Sequence, residues 1–316
     1  MSKVYITDYI DNPYIEKDVL GDLLSPKLNE NIEVILVWHE FITKEYIDKL
    51  PNLKGIVRYG VGYDAIDLEY AKSKNIFVCN TPDYGTEEVS DTAIAMIMNI
   101  ARGITRYDYQ CRAYTEGWQE NTIKSIRRNS DYKVGIIGAG RIGGSILLKS
   151  KILRFQTYFY DPYVVRGHEK MLDTKRVESL EELLIECDII SVNCPLTNET
   201  SGMINDEFIS KMKDGASLVN TARGGIISDV DIFYKPLKSG KLSNVALDVI
   251  PQEPPKESPM ISAWRAKEEW LDGRFILNPH TAYYSDKAYL EMRNKAAYNA
   301  KRILEGEMPY NIVNGL

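Results

Sequence analysis

The sequence predicts an α/β protein in which parallel sheets are covered by helices. Strand-like apolar runs alternate with helix-like segments almost from end to end of the 316-residue chain, which is typical of parallel sheets with covering helices. Some runs, such as "VGIIG", are apolar throughout, as expected for strands buried on both faces of a sheet. A chain of this length is long enough for two domains.

The strand-like runs fall into two series joined by a helix. The first series is "KVYIT", "EVILVW", "GIVRY" and "IFVCN", and the second is "KVGIIG", "QTYFYD", "DIISVN", "ASLVN" and "NVALDV". Apolar residues at helical spacing predict one long joining helix over about 85–116. A second long helix is predicted from Ser285, which suits an N-cap, to about Gly306.

Composition excludes several classes of protein. The net charge is −6 and no basic stripe is present, which argues against a nucleic-acid partner. The longest apolar run, 93–98, is too short to cross a bilayer, and the N-terminus reads directly as a strand rather than a signal peptide. We therefore expect a cytoplasmic protein with no membrane partner.

The scattered cysteines are interpreted as small buried apolar residues rather than metal ligands or disulfides; they are Cys79, Cys111, Cys187 and Cys194.

A glycine loop follows the first strand of the second series. Residues 138–143 have the pattern G-x-G-x-x-G, a helical pattern comes next, and Asp161 ends the following strand. In such a loop Gly138 allows a tight turn, Gly140 lets a pyrophosphate approach the main chain, and Gly143 permits close packing of helix on strand. The helix N-terminus attracts the phosphates. A glycine turn before a helix is the alternative, but the order of strand, loop, helix, strand and acid favours a dinucleotide site.

Asp161 predicts which dinucleotide is bound. Its carboxylate can accept hydrogen bonds from a ribose diol and would repel a 2′-phosphate, so NAD(H) is favoured over NADP(H). The nearby Arg166 weakens this preference a little.

Three later residues, each on a loop after a strand, are candidates for the chemistry. Arg223 could clamp a carboxylate through two parallel hydrogen bonds, although a surface salt bridge is the alternative. Glu253 and His280 would form an acid–base unit, in which a protonated imidazole donates to a carbonyl oxygen as hydride reaches the carbon. Spacing alone does not show that the two side chains meet. The other two histidines, His39 and His168, are interpreted as structural or exposed.

The chain resembles the D-isomer-specific 2-hydroxyacid dehydrogenases over nearly its whole length, most closely the branch that contains the C-terminal-binding protein. The resemblance is carried by "VRYGVGYDAIDL", "VCNTPDYGTEEVSDTA", "VGIIGAGRIG", "YDPY", "LVNTARGG", "ALDVIPQEP" and "NPHTAYYS". It implies two Rossmann-like domains, with an NAD-binding domain at 104–283 inserted into a flavodoxin-like substrate domain formed by 1–103 and 284–316. It also implies a homodimer joined through the nucleotide-binding domains.

The resemblance assigns roles to individual residues. Arg223 would hold the substrate carboxylate and carbonyl, His280 would donate the proton, and Glu253 would pair with it. Substrate binding is further implied for the main chain of Val61 and Gly62, and for Arg58 and Tyr283. Asp248 would meet the nicotinamide amide. The implied cofactor-binding residues are Gly138, Gly140, Arg141, Ile142, Gly143, Asp161, Cys194, Pro195, Thr200, Thr221, Ala222, Arg223, Asp248 and His280.

These observations predict an NADH-dependent reductase that converts a small 2-oxo acid reversibly into the (R)-2-hydroxy acid. Two alternatives stay open, namely an NAD(H)-sensing interaction module with little turnover and a short phosphoglycerate dehydrogenase. No metal is expected. The stretch 255–273 is longer than in typical members of the family and carries Trp264 and Trp270, so the sequence does not identify the substrate.

Overall fold

The computed structural model describes residues 2–112, 118–123 and 125–316. The chain forms two compact units, one built from Met1–Gly85 with Tyr284–Leu316 and the other from Thr86–Tyr283. Each unit contains a sheet in which the paired strands are parallel, so the predicted α/β class is confirmed. No helix within the described ranges is both long enough and apolar enough to span a bilayer.

The first unit holds a five-stranded sheet with the order β2-β1-β3-β4-β5. This order is that of flavodoxin-like folds, as the sequence predicts. Its strands are β1 Val4–Ile6, β2 Leu24–Ser25, β3 Val34–Val37, β4 Gly55–Arg58 and β5 Phe77–Cys79.

The second unit holds a seven-stranded sheet with the order β12-β11-β10-β9-β6-β7-β8. Strands β7 and β8 lie on one side of β6, whereas β9 to β12 lie on its other side, so the order of strands switches between β6 and β9. Open parallel sheets bind ligands at such switch points, at the carboxyl ends of the strands. The strands are β6 Lys133–Ile137, β7 Gln156–Tyr160, β8 Lys175–Arg176, β9 Ile189–Val192, β10 Ala216–Asn220, β11 Leu242–Leu247 and β12 Phe275–Leu277.

Helices cover these sheets and bury their apolar faces against them. In the second unit, for example, Ala93 and Ile97 share a core cluster with Val134 and Ile146. The helices are α1 Tyr14–Leu20, α2 Lys44–Ile47, α3 Leu68–Ser73, α4 Thr86–Arg102, α5 Ile104–Arg112, α6 Arg141–Ile152, α7 His168–Leu172, α8 Leu180–Glu186, α9 Asp206–Lys211, α10 Tyr234–Ser239, α11 Pro259–Arg265 and α12 Asp286–Leu304.

The last helix agrees with its sequence signals. The Ser285 hydroxyl accepts a hydrogen bond from the Ala288 amide at 3.0 Å, which caps the start of α12. Gly306 has a φ of 75°, a value that stops a helix and favours glycine. The prediction of a helix between Ser285 and Gly306 is therefore confirmed.

The joining helix differs from its prediction. Instead of one helix over 85–116, α4 ends at Arg102 and α5 begins at Ile104, and residues 113–116 lie outside the described ranges. Gly103 separates the two helices with a φ of 65°, a backbone conformation that interrupts an α-helix. A β-carbon at Gly103 would also lie 2.9 Å from Cδ1 of Ile123.

The boundary between the two units also differs from its prediction, because of helix α4. The sequence placed this boundary after residue 103, whereas the compact units divide at 85/86. The reason is packing, because Ala93, Met96 and Ile97 of α4 belong to the core that contains β6 and α6.

The cysteine interpretation is confirmed in part. Cys79 and Cys187 are buried, but Cys194 is half-buried and Cys111 is exposed on α5. The prediction is therefore wrong for Cys111. Among the described residues, no group of three or more His, Cys, Asp or Glu side chains is arranged to hold a metal ion.

Candidate active site

The glycine loop after β6 has the geometry of a phosphate-binding turn. Gly138 has a φ of 88°, and a β-carbon at Gly143 would lie only 1.9 Å from the Gly138 carbonyl oxygen. At Gly140, by contrast, a β-carbon would meet no described residue within 4 Å other than its chain neighbours. The turn is thus closed on the side of the helix and open at Gly140. The 12-residue helix α6 begins immediately afterwards with Arg141 and Ile142, and the first amides of a helix are a typical binding site for phosphate groups.

Asp161 lies directly after β7 and holds the glycine loop in place. Its Oδ2 accepts a hydrogen bond from the Ala139 amide at 2.8 Å, and its Oδ1 accepts one from the Tyr163 amide at 2.9 Å. The carboxylate therefore lies beside the loop, where a ribose diol of a dinucleotide is expected.

Arg166, which could have favoured a 2′-phosphate, is held by an acidic partner. Its guanidinium donates to both carboxylate oxygens of Glu178, at 2.7 and 3.0 Å. This bidentate pair balances the arginine charge. The arrangement fits NAD(H) better than NADP(H).

Two buried polar atoms at the carboxyl ends of neighbouring strands have no hydrogen-bond partner within the described part of the chain. They are Oδ1 of Asn193, after β9, and Oγ1 of Thr221, after β10. Buried polar groups are nearly always hydrogen-bonded, and an orphan costs about 1–3 kcal/mol. Asn193 also lies against the glycine loop, since a β-carbon at Gly138 would be 2.9 Å from its main chain. These atoms fit a polar ligand at the switch between β6 and β9.

Hydrogen bonds of Thr200 stabilise the predicted cofactor loop after β9. Its hydroxyl donates to the Pro195 carbonyl at 2.7 Å and accepts from the Thr197 amide at 2.8 Å. The neighbouring Cys194 is half-buried, and burial raises the pKa of its thiol to about 11. Cys194 is consequently a neutral thiol at physiological pH.

Arg223 is positioned by a turn that begins at the last residue of β10. The side-chain amide of Asn220 accepts from the Ala222 amide at 2.9 Å and donates to the Arg223 carbonyl at 3.0 Å. The guanidinium donates to the Ala222 carbonyl at 2.8 Å. Sequence reasoning missed Asn220, although an asparagine at the end of an apolar strand is a signal for such a turn. Gly224 completes it, since a β-carbon there would be 1.9 Å from the Ile250 carbonyl oxygen.

Glu253 and His280 form the hydrogen-bonded pair that the sequence could not establish. Nδ1 of His280 lies 2.7 Å from Oε2 of Glu253, while Oε1 of Glu253 accepts from the Ile250 amide at 3.1 Å. Burial raises the pKa of the Glu253 carboxyl, but the hydrogen bond and charge of His280, with a smaller contribution from Arg223, outweigh burial and lower the pKa below 4.5. The carboxylate is therefore charged at neutral pH.

The backbone of His280 is held by Asp248 at the end of β11. The His280 amide donates to the Asp248 carbonyl at 2.8 Å, and the buried Asp248 carboxylate accepts from the amides of Thr281 and Ala282 at 3.0 Å each. His280 has a φ of 56°, an uncommon conformation for a residue other than glycine that concentrates at functional sites. The ring of Tyr283 lies edge-on to the imidazole at 6.4 Å.

The remaining predicted substrate residues belong to the first unit. Arg58 ends β4 and donates to the Val37 carbonyl at 3.4 Å. The Asn80 side chain donates to the Val61 carbonyl at 2.7 Å, and the Thr81 hydroxyl donates to the Arg58 carbonyl at 3.0 Å. These bonds fix the main chain that leads into Gly62.

The second unit therefore combines a dinucleotide-type loop with an arginine and a carboxylate–imidazole pair, which defines a nicotinamide-dinucleotide-binding α/β protein. Residues 94–282 match the family model described as "D-isomer specific 2-hydroxyacid dehydrogenase, NAD binding domain". The chain belongs to this family.

Curated relatives and solved structures agree with this assignment. The chain is 32% identical to a D-3-phosphoglycerate dehydrogenase of Methanocaldococcus jannaschii over 99% of its own length, but it spans only 60% of that relative. It is 35% identical to a glyoxylate reductase of Korarchaeum cryptofilum, over 86% of this chain and 80% of the relative. A crystal structure of D-lactate dehydrogenase from Aquifex aeolicus, complexed with NAD and lactic acid, is 31% identical with a TM-score of 0.85 and full coverage of both chains.

Proposed function

We propose that the protein is an NAD-dependent oxidoreductase that reduces a small 2-oxo acid to the (R)-2-hydroxy acid and also catalyses the reverse reaction. The observation that carries the proposal is the 2.7 Å bond between His280 and Glu253, in the same unit as Arg223 and the glycine loop. The relatives named glyoxylate reductase and D-lactate dehydrogenase support this class of substrate.

His280 is proposed as the acid–base group. Because Glu253 is charged and lies against Nδ1, it stabilises an imidazolium and fixes the orientation of the ring. The other ring nitrogen, Nε2, can then donate a proton to the substrate carbonyl oxygen and take it back in the reverse direction. NADH, when bound, supplies the hydride that reaches the carbonyl carbon.

Arg223 is proposed to bind the acid. A guanidinium can engage a carboxylate with two parallel hydrogen bonds and place positive charge beside the adjacent carbonyl. The Asn220 turn and the close contact at Gly224 hold the backbone of this arginine. Substitution of Arg223 by Lys would keep the charge but not the bidentate geometry.

The test is turnover of NADH with a panel of glyoxylate, pyruvate, hydroxypyruvate and 3-phosphohydroxypyruvate. We expect His280→Ala to lower kcat/KM on the best acid about 10²- to 10⁴-fold. Lys170→Ala, a change on an exposed residue of α7, serves as the control. Unchanged turnover in the His280 variant would contradict the proposal.

The same panel separates the alternatives. The D-3-phosphoglycerate dehydrogenase relative makes a phosphorylated substrate a specific second candidate, and strong preference for 3-phosphohydroxypyruvate would establish it. Slow rates on every acid, combined with tight NADH binding and NADH-dependent assembly, would favour the sensing module. Light scattering with and without NADH measures that assembly and tests the proposed homodimer.

A further inference from the structure

Two consecutive peptides of the glycine loop, on either side of Ala139, are each held by a side chain. Ala139 is fully buried, and its amide donates to Oδ2 of Asp161 at 2.8 Å. Its carbonyl oxygen lies 2.9 Å from Nε2 of His168. Because a carbonyl oxygen can only accept, Nε2 is the donor, and it carries the proton in this bond.

The bond to His168 matters because Gly140 is conformationally permissive. Glycine has no β-carbon to restrict rotation of the peptide before it, and apart from the two chain neighbours no described residue has an atom within 4 Å of the position that a β-carbon would occupy at Gly140. A trans peptide is planar, with its carbonyl and its N–H pointing in opposite directions. A hydrogen bond that fixes the Ala139 carbonyl therefore also fixes the direction of the Gly140 N–H.

The local structure fixes the His168 ring in turn. Gly167 precedes α7 with a φ of 99°, and its amide donates to the carboxylate of Glu169 at 3.0 and 3.1 Å. The His168 ring lies edge-on to Phe159, with centroids 6.2 Å apart and planes at 79°. Phe159 is fully buried in β7, so the imidazole of His168 packs against a side chain that is itself held in the core.

We propose that His168 is a positioning residue for the dinucleotide. It acts through the Ala139–Gly140 peptide, which it keeps in the orientation that receives the pyrophosphate. It contacts neither the 2-oxo acid nor the reacting atoms. His168 affects NAD binding only, and this role does not depend on the identity of the substrate.

The test compares two replacements of His168 that differ in hydrogen-bonding ability. His168→Gln keeps an N–H donor at a similar reach, whereas His168→Phe keeps a ring against Phe159 but has no donor. We expect His168→Phe to raise the Kd of NADH and of ADP-ribose about three- to tenfold, as for the loss of one hydrogen bond. We expect His168→Gln to remain within about twofold of wild type. Calorimetry or quenching of tryptophan fluorescence measures these constants, with Lys170→Ala as the control.

Kinetics provides a readout that a purely structural role would not give. In His168→Phe the KM for NADH rises, while kcat at saturating NADH and the KM for the oxo acid stay at wild-type values. His168→Asn, whose amide is too short to reach the carbonyl, is a second variant without the bond and must weaken NADH binding too.

Equal affinities in wild type, His168→Phe and His168→Asn would overturn the proposal. Equal weakening in His168→Gln and His168→Phe, with equal losses of melting temperature, would also overturn it. Binding is measured without any oxo acid, so a protein that turned over no acid could still pass this test.

Discussion

Gly140 and Gly143 lie three residues apart in the same loop and should respond in opposite ways to an added methyl group. In Gly143→Ala, the new β-carbon would lie 1.9 Å from the Gly138 carbonyl oxygen, whereas β-carbons in proteins essentially never approach other atoms closer than 3.0 Å. The helix must therefore move by roughly 1 Å relative to β6. Overpacking of this kind costs about 1–3 kcal/mol, partly offset by about 1 kcal/mol from the better helix propensity of alanine.

Gly140→Ala should leave the protein without cofactor as stable as before. Its backbone is extended, with a φ of −71° and a ψ of −156°, and beyond its chain neighbours the methyl group meets no atom of the described part of the chain within 4 Å. The smaller entropy of the unfolded chain can even add about 0.4–1 kcal/mol of stability. The same methyl group occupies the space predicted for the pyrophosphate. Loss of one or more charge-assisted hydrogen bonds, at about 1.5–3 kcal/mol each, should raise the Kd of NADH about 10- to 100-fold.

Thermal melts and NADH titrations of the two variants form the assay. We expect Gly143→Ala to lose up to about 8 °C in melting temperature, from a net cost of up to about 2 kcal/mol and roughly 2–4 °C per kcal/mol for a unit of this size, and Gly140→Ala to lose none. A large loss of melting temperature in Gly140→Ala, or NADH affinity equal to wild type in that variant, would refute the assignment of this space to the pyrophosphate.

Three further predictions concern carboxylates. Glu253→Gln should lower kcat/KM about a hundredfold. Because the folded-state pKa of Glu253 lies below 4.5, the charged carboxylate stabilises the fold fully above pH 4.5, and this stabilisation is lost as the pH falls further. The melting temperatures of wild type and variant should therefore converge below about pH 4.5. Glu16→Gln should lower the free energy of unfolding in urea by about 3–5 kcal/mol. The buried guanidinium of Arg293 lies 2.5 Å from the Glu16 carboxylate, and the variant leaves it without a negatively charged partner. An unchanged urea midpoint would contradict this prediction. Glu178→Gln should release Arg166 and lower the Kd of NADPH severalfold while the Kd of NADH stays constant, and no change for NADPH would show that the arginine cannot reach a 2′-phosphate.

Periodic patterns were read correctly from the sequence where local and tertiary preferences agree. The runs "EVILVW" and "KVGIIG" form β3 and β6, and Ser285 caps α12. Contacts between side chains that are far apart in the sequence could be proposed only as hypotheses. Glu253 and His280 are 27 positions apart and meet because β11 and β12 are neighbours in the sheet.

Other features left no periodic signal. Strands β2 and β8 contain two residues each, too few for an alternating pattern. Gly103 divides the joining helix because its φ is positive, and a single glycine in a helical pattern does not by itself predict a break. The polar surroundings of His168 in the sequence indicate a structural or exposed residue, and only the fold brings its ring to the Ala139 carbonyl, 29 positions earlier in the chain.

The final segment of the chain completes the sheet of the first unit. The Val313 amide donates to the Val78 carbonyl at 2.8 Å, and the Asn314 side chain accepts from the Val78 amide at 3.2 Å, while α12 packs over β3 and β4. On the ribosome, residues 86–283 therefore emerge and can fold while the first five strands still lack their last helix and the cover of β5. An unpaired strand edge invites association with other chains, so the strands that precede residue 86 stay unprotected until the segment after residue 283 has been made.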